Sequence, residues 1–333
     1  MNWHVLVTAR AFWFSGDQAR AALEGARCTI IHSPNAGPVP EDELIELLHN
    51  CDAVIASSDP YTARLFRECP KLKVVSRCGV GYDSVDVNAA TEAGIIVTTT
   101  PGAMTDAVAD YTWGLILALA RKIPAGDALM RSGGWGEYPG VLVCGKTLGL
   151  VGFGAIGRGV ARRAAGFDMK ILAYDPAWTA DSDPPAGMPP IEFTSLDDLL
   201  DRSDFVSLHA PNTPETKHMF NTARFVKMKR TAYFINTARG ALVDEAALVE
   251  ALQNGTIAGA AVDVYTAEPC PPDDPLRSAP NIVLTPHNAF NAMEAAEEMS
   301  RLSAENILSV MRGDRPAGIL NSEVYERTGL RAE

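Results

Sequence analysis

Short apolar runs alternate with amphipathic stretches through the first hundred residues. Runs such as WHVLVT (3–8) and DAVIAS (52–57) predict buried strands, whereas DQARAALEGA (17–26) and EDELIELLHN (41–50) have helical periodicity. Strands that alternate with helices predict βαβ units and a parallel sheet. This part of the chain therefore predicts an α/β domain with a core of its own.

A second series of the same kind begins at Lys146. A long apolar helix, predicted over 105–121, and a glycine-containing irregular arm, RSGGWGEYPG, precede it. The predicted strands of this series are TLGLVGF, KILAYDP, FVSLHAP, AYFINTA, AGAAVDV and NIVLTP. A further helix is predicted over 291–312, and the pattern alone does not assign it to either series.

Composition and charge narrow the class of protein. A length of 333 residues indicates about two domains, and 47% hydrophobic residues are typical of a globular protein. A net charge of −12 argues against a nucleic acid as the partner, since such binding depends on Lys and Arg. The six scattered cysteines predict reduced thiols and no metal site. We see no signal-peptide pattern and no apolar run that would span a membrane, so we expect a cytoplasmic protein.

The stretch LGLVGFGAIGRG (148–159) predicts a dinucleotide-binding turn. Gly152 would allow the tight turn, Gly154 would let the backbone approach a pyrophosphate, and Gly157 would let the helix pack on the strand. Ala155 and Ile156 would begin the following helix, whose N-terminus would add partial positive charge beside the pyrophosphate. The alternative is a glycine-rich turn that binds nothing.

Asp175 completes the fingerprint at the end of the next predicted strand, eighteen residues beyond Gly157. A carboxylate there accepts hydrogen bonds from the adenosine ribose and repels a 2′-phosphate. The following residues, Pro176, Ala177 and Trp178, carry no cation that could hold such a phosphate. The sequence therefore favours NAD over NADP.

Charged side chains follow three later strands. Arg239 follows AYFINTA, Asp263 and Glu268 lie at and beyond the end of AGAAVDV, and His287 follows NIVLTP. Ligands of open α/β sheets bind outside the carboxyl ends of the strands, so these loops can share one crevice. Taken singly, each residue has a structural alternative. Arg239 could form a surface ion pair, Glu268 could be a solvated acid, and His287 could be an ordinary loop histidine.

At these motifs the chain resembles the D-isomer-specific 2-hydroxyacid dehydrogenase family. The resemblance covers nearly the whole length, and its motifs are CGVGYDSVD, TDAVADYTWGLILALAR, the glycine fingerprint, LHAPNTPETKHMFN, MKRTAYFINTARGALVDEAAL, AAVDVYTAEP and LTPH. It implies an α/β fold with two Rossmann-like or flavodoxin-like parallel-sheet domains. Residues 1–100 and 290–333 would form the substrate-binding, flavodoxin-like domain, discontinuous in sequence. Residues 101–289 would form the NAD-binding Rossmann domain with a dimerisation arm around Trp135.

The resemblance also implies roles for individual residues. Arg239 would bind the substrate carboxylate and polarise its carbonyl, His287 would be the acid/base, and Glu268 would hold and tune His287. Backbone N–H groups of Val80 and Gly81 would bind the substrate carboxylate. Asp263 would lie near the cofactor amide. The implied activity is an NAD-dependent hydride transfer to or from C2 of a 2-hydroxy or 2-oxo acid by a homodimer.

The loop ASSDPYT (56–62) bears on the substrate. Phosphoglycerate-specific members usually carry an arginine in the first strand-end loops, whereas here ASSDPYT has no cation. Arg77 lies nearby, but a role in a structural ion pair explains it at least as well as a role in binding a phosphate. We expect a small unphosphorylated acid such as glyoxylate, hydroxypyruvate or lactate. The alternatives are a phosphoglycerate dehydrogenase, a non-enzymatic, NAD-sensing, corepressor-like binding protein, and another chemistry on the same fold, such as formate or phosphite oxidation.

Overall fold

The computed structural model describes residues 2–34, 38–327 and 329–332. The chain forms two compact units. The first comprises Met1–Met104 and Asn291–Glu333, and the second comprises Thr105–Phe290. Positions 1, 35–37, 328 and 333 of the predicted substrate domain lie outside the described residues. The predicted fold class, two parallel-sheet α/β domains, is confirmed.

A five-stranded parallel sheet forms the centre of the first unit. Its strands are β1 (His4–Val7), β2 (Thr29–His32), β3 (Ala53–Ala56), β4 (Val74–Arg77) and β5 (Ile96–Thr98). The spatial order is β2-β1-β3-β4-β5, the order of flavodoxin-like sheets. The helices between them are α1 (Arg10–Ser15), α2 (Asp17–Gly25), α3 (Glu41–Leu48), α4 (Ala63–Glu68) and α5 (Val87–Glu92).

Successive strand residues of this sheet face two separate apolar layers. Leu6, Val54 and Val75 join one layer, whereas Val5 and Ile55 join the other. Both faces are covered, which is why the central strands read as continuous apolar runs in the sequence. The C-terminal helix, Met293–Met311, covers the second face through residues such as Ile307. The last helix of the chain thus belongs to the first unit.

A seven-stranded parallel sheet forms the centre of the second unit. Its strands are β6 (Thr147–Val151), β7 (Lys170–Tyr174), β8 (Glu192–Phe193), β9 (Phe205–Leu208), β10 (Tyr233–Asn236), β11 (Gly259–Val262) and β12 (Ile282–Leu284). Its helices are α6 (Thr105–Ala120), α7 (Ile123–Arg131), α8 (Ala155–Ala164), α9 (Leu196–Arg202), α10 (Thr222–Lys227) and α11 (Glu245–Gln253).

The strand order of this sheet is β12-β11-β10-β9-β6-β7-β8. From β6 the chain adds strands first on one side and then on the other, as in a dinucleotide-binding fold. The switch point lies between β6 and β9, so the loops that leave these two strands open a crevice at their carboxyl ends. The glycine fingerprint forms the loop after β6.

Helix α7 is absent from the sequence interpretation, which places only an irregular arm after residue 121. Pro124 occupies the first turn of α7, where its missing N–H is tolerated. All nine residues of α7 are exposed or half-buried, so none of its apolar side chains belongs to the core of the second unit.

Among the described residues, none of the helices has the length and apolar character needed to cross a bilayer.

Candidate active site

Two glycines of the fingerprint are fixed by close backbone contacts. Gly152 has a φ of +98°, and an added Cβ would lie 2.6 Å from the carbonyl carbon of His209. At Gly157 an added Cβ would lie 2.3 Å from the carbonyl oxygen of Gly152. Neither distance leaves room for a side chain, so the loop after β6 packs directly on the loop after β9.

Gly154 differs, because an added Cβ there would meet no described atom within 4 Å. It precedes α8, whose first residues are Ala155 and Ile156. The N–H groups of a first helical turn have no partners within the helix. This open helix start fits the pyrophosphate of a dinucleotide, as the fingerprint predicts.

Asp175 lies immediately after β7, beside the glycine loop. Its Oδ2 accepts the N–H of Phe153 at 2.8 Å, and its Oδ1 accepts the N–H of Ala177 at 2.9 Å. These bonds tie the loop to the end of β7. They also hold a carboxylate at the edge of the turn, where the sequence predicts the adenosine ribose to bind.

His209 supports the glycine loop from the other side of the switch point. Its Nε2 lies 2.9 Å from the hydroxyl of Ser207. Burial lowers the pKa of His209 to about 4. The ring is therefore neutral at neutral pH. In the sequence, His209 lies in the predicted strand FVSLHAP and in one motif of the family resemblance, neither of which assigns it a role.

The Arg239 loop follows β10 and is anchored by a buried amide. Asn236 accepts the N–H of Ala238 at 3.0 Å and donates to the carbonyl of Arg239 at 2.9 Å. The guanidinium of Arg239 is half-buried and donates to the carbonyl of Ala238 at 2.6 Å. The backbone direction at Arg239 is thus set by Asn236.

Gly240 brings this loop against the loop that carries Glu268. An added Cβ at Gly240 would lie 2.0 Å from the carbonyl carbon of Tyr265 and 2.3 Å from the nitrogen of Thr266. Only a glycine permits backbones to approach so closely. Arg239 is consequently near enough to Glu268 for its positive charge to help lower the pKa of that carboxyl.

Glu268 and His287 form the central pair of the site. Oε2 of Glu268 lies 2.6 Å from Nδ1 of His287, and Oε1 accepts the N–H of Tyr265 at 2.9 Å. Burial raises the pKa of Glu268, but His287, the N–H of Tyr265 and the charge of Arg239 together lower it further, so the pKa is lowered overall. A carboxylate on Nδ1 fixes the ring and leaves Nε2 for proton exchange.

Asp263 organises the loop that carries His287. Its fully buried carboxylate accepts bonds from the Thr285 hydroxyl at 2.6 Å and from the N–H groups of Asn288 and Ala289, both at 2.9 Å. Its carbonyl accepts the N–H of His287 at 2.7 Å. His287 adopts a left-handed φ of +52° within this network. Asp263, which the family resemblance places near the cofactor, thus holds the backbone on both sides of the acid/base candidate His287.

The structure brings together Arg239, Glu268 and His287 at the carboxyl ends of neighbouring strands. The glycine residues and Asp175 gather at the switch point of the same sheet. Val80 and Gly81 belong to the first unit, in the turn after β4. Within the described ranges, no group of three or more His, Cys, Asp or Glu residues could hold a metal ion.

Known proteins are similar to this chain in fold and in sequence. Residues 113–289 match the model of the D-isomer specific 2-hydroxyacid dehydrogenase, NAD binding domain. A glyoxylate reductase of Thermofilum pendens is 45% identical over 306 residues, 89% of each chain. Another, of Korarchaeum cryptofilum, is 44% identical over 296 residues, 87% of this chain and 88% of the relative. The TT0316 protein of Thermus thermophilus has a TM-score of 0.85 at 39% identity, covering 95% of this chain and 99% of its own.

The chain belongs to the D-isomer specific 2-hydroxyacid dehydrogenases, as its motifs predict. It is an NAD-dependent oxidoreductase that acts on D-2-hydroxy acids or the matching 2-oxo acids. The predicted cofactor, NAD, is confirmed with the family. The open start of α8 and the carboxylate of Asp175 fit this cofactor.

The contact at Gly240 predicts a specific loss of catalysis. In Gly240→Ala, the new methyl group should push Arg239 away from Glu268 and lower kcat/KM for the substrate by about 10²-fold. We expect the Kd for NADH, measured by fluorescence, to change little. The matched control is Gly166→Ala, where an added Cβ meets no described atom within 4 Å. Equal kinetics of the two variants would contradict this interpretation of Gly240.

The neutral ring of His209 predicts a pH-dependent stability. An unfolded histidine binds a proton below about pH 6.5. Folded His209 binds one only near pH 4, so the free energy of unfolding should fall as the pH drops between these values. The slope is at most about 1.4 kcal/mol per pH unit, and partial exposure of the residue should reduce it. Urea unfolding of wild type and His209→Gln measures this component, and parallel curves would exclude it.

Proposed function

We propose that the protein reduces a small, unphosphorylated 2-oxo acid, such as glyoxylate or hydroxypyruvate, to the D-2-hydroxy acid, and catalyses the reverse oxidation. The observation that supports this most is the short Glu268–His287 contact beside Arg239. A cation for a carboxylate and an acid/base for a carbonyl oxygen are the groups that this chemistry needs. A protein that only sensed NAD would have no need of that pair.

Each residue has a definite part in the proposed reaction. Bound NADH supplies the hydride for reduction at C2. The planar guanidinium of Arg239 binds the substrate carboxylate and polarises the neighbouring carbonyl. Nε2 of His287 donates the proton to the carbonyl oxygen in reduction and accepts it in oxidation. Glu268 holds Nδ1 and so leaves Nε2 for the exchange of the proton.

In the first unit, we assign the substrate carboxylate to the N–H groups of Val80 and Gly81. Neither group donates to a protein acceptor within the described part of the chain. Both residues are half-buried, and successive free N–H groups in a turn form an anion-binding concavity. This supports the role that the family resemblance implies for them.

The loop after β3 supports an unphosphorylated substrate. Asp59 of that loop is fully buried and accepts bonds from the Thr8 hydroxyl at 2.5 Å, the N–H of Val39 at 2.9 Å and the Tyr61 hydroxyl at 3.1 Å. Phosphoglycerate-specific relatives usually carry an arginine in this loop. A fixed carboxylate in the same loop disfavours a phosphate.

We also propose a cytoplasmic homodimer. Helix α7 and the segment that follows it expose several large apolar side chains, among them Trp135 at 88% and Leu142 at 67%. Large apolar side chains exposed along one segment of a folded protein are typical of an interface. A twofold contact would bury them against the same segment of a second copy. All six cysteines are free thiols, as in a reducing compartment.

A substrate panel tests the proposed function. With NADH in excess, glyoxylate and hydroxypyruvate should give higher kcat/KM than 3-phosphohydroxypyruvate, because no cation of the loop after β3 meets the phosphate. Arg239→Lys keeps the charge but loses the planar fork, and should lower kcat/KM by about 10²-fold or more. Arg224→Lys, at an ion pair on α10, is the matched control. A preference for the phosphorylated acid, or a fully active Arg239→Lys enzyme, would refute the proposal.

Glu268→Gln tests how the carboxylate acts on His287. The lowered pKa of Glu268 keeps it charged above the acidic range, and the charged carboxylate holds Nδ1 of His287 at 2.6 Å. Without the charge, this contact should weaken and the ring of His287 should be held less firmly, so kcat/KM for reduction and for oxidation should both fall by about tenfold or more while the Kd for NADH stays unchanged. Glu250→Gln on α11 is the control. Equal kcat/KM for wild type and Glu268→Gln would mean that Glu268 does not position the acid/base.

Trp135→Glu tests the proposed dimer. Light scattering of the wild type should give about twice the 35.6 kDa of one chain. A charge at Trp135 should shift the mass towards that of one chain. Val226→Glu is the matched control, because Val226 is also apolar and 65% exposed but lies on α10. A wild-type mass of one chain, or equal masses for the two variants, would contradict this interface.

A further inference from the structure

The side chain of Arg77 folds back onto the turn that follows it. At the end of β4, its Nε donates to the carbonyl of Gly81 at 2.8 Å, and its Nη1 donates to the carbonyl of Ala56 at 2.9 Å. The N–H of Cys78 donates to that same Ala56 carbonyl at 3.0 Å. One guanidinium therefore bridges the end of β3 and the far side of the turn.

Two carbonyl groups of the turn are held by hydrogen bonds. The carbonyl of Gly79 is bound by the N–H of Thr100 at 3.1 Å, and the carbonyl of Gly81 is bound by Arg77. Gly79 has a φ of +151°. With these carbonyls fixed, the N–H groups of Val80 and Gly81 remain without a protein acceptor in the described residues.

The guanidinium also adds a permanent positive charge behind the turn. Nη2 of Arg77 lies 3.6 Å from the position that a Cβ of Gly79 would occupy. Arginine stays protonated at any relevant pH, and its fork suits two acceptors held at fixed angles. A carboxylate bound by Val80 and Gly81 would thus experience both ordered N–H donors and a nearby cation.

We propose that Arg77 is a positioning residue for substrate binding: it orients the Val80–Gly81 turn towards the substrate carboxylate. This inference rests on the proposed function, since it takes the turn as the carboxylate site. It differs from a phosphate-binding role, because the Nε and Nη1 groups of Arg77 are bound to carbonyls of the chain.

Arg77→Met and a matched control variant test this role. Arg331, also in the first unit, donates to the carbonyls of Phe66, Cys69 and Leu72. Arg331→Met therefore removes a comparable set of bonds away from the turn. The readouts are KM and kcat for glyoxylate, the Kd for NADH, and the Kd of oxamate for the protein–NADH complex by fluorescence.

We expect Arg77→Met to raise the KM for glyoxylate and the Kd of oxamate by about tenfold or more, as for the loss of a charged hydrogen bond. The kcat and the Kd for NADH should stay near the wild-type values. Arg77→Lys should give an intermediate rise, because it keeps the charge without the fork. Arg331→Met should lower the unfolding temperature but leave both substrate constants unchanged.

Three results would overturn the inference. They are equal oxamate binding by wild type and Arg77→Met, equal losses in the two methionine variants, and a parallel loss of NADH affinity in Arg77→Met. A failure of the proposed function is a separate result, because it appears in the wild type as no turnover of any unphosphorylated 2-oxo acid. Oxamate binding does not need turnover, so the role of Arg77 can be judged in either case.

Discussion

The buried carboxylate of Asp263 is the constraint on which the active-site geometry depends. A charge removed from water must be paired or fully hydrogen-bonded. Here the side chain of Thr285 and the N–H groups of Asn288 and Ala289 supply those bonds. Satisfying Asp263 therefore fixes the path of the chain on both sides of His287, and that path directs its Nδ1 to Glu268.

Close backbone contacts at two glycines complete the arrangement. Gly152 lets the cofactor loop pack on the loop that carries His209, and Gly240 lets the Arg239 loop pack on Tyr265. In both places a loop after one strand meets a loop after another strand of the sheet. Parallel strands bring such loops to one edge, and glycine removes the side chain that would hold them apart.

For binding an anionic substrate, the charges close to the proposed site matter more than the net charge of the protein. The chain carries a net charge of −12, and the proposed substrate is an anion. Exposed charges are screened beyond about 8 Å at physiological salt, so distant acids count for little at the site. Each unit has a cation at its proposed carboxylate site: Arg239 in the second and Arg77 in the first.

The sequence alone determined the alternation of strands and helices, the cofactor turn and its preference for NAD. These features depend on local periodicity and on short motifs, such as the glycines and Asp175, which lie within one βαβ unit. The family resemblance added candidate roles for Arg239, Glu268 and His287. Those roles could be carried over because the motifs keep their order along the chain.

Only the tertiary structure decided how Asp263, His209, Gly240 and Arg77 contribute. Each acts through backbone groups or side chains that are far away in sequence or hidden from any periodic pattern. Asp263 contacts residues more than twenty positions away, and Arg77 donates to a carbonyl at the end of another strand. Helix α7 was missed for a related reason. None of its residues is buried in the core of its own unit, so the sequence pattern offered no core-facing side by which to recognise the helix.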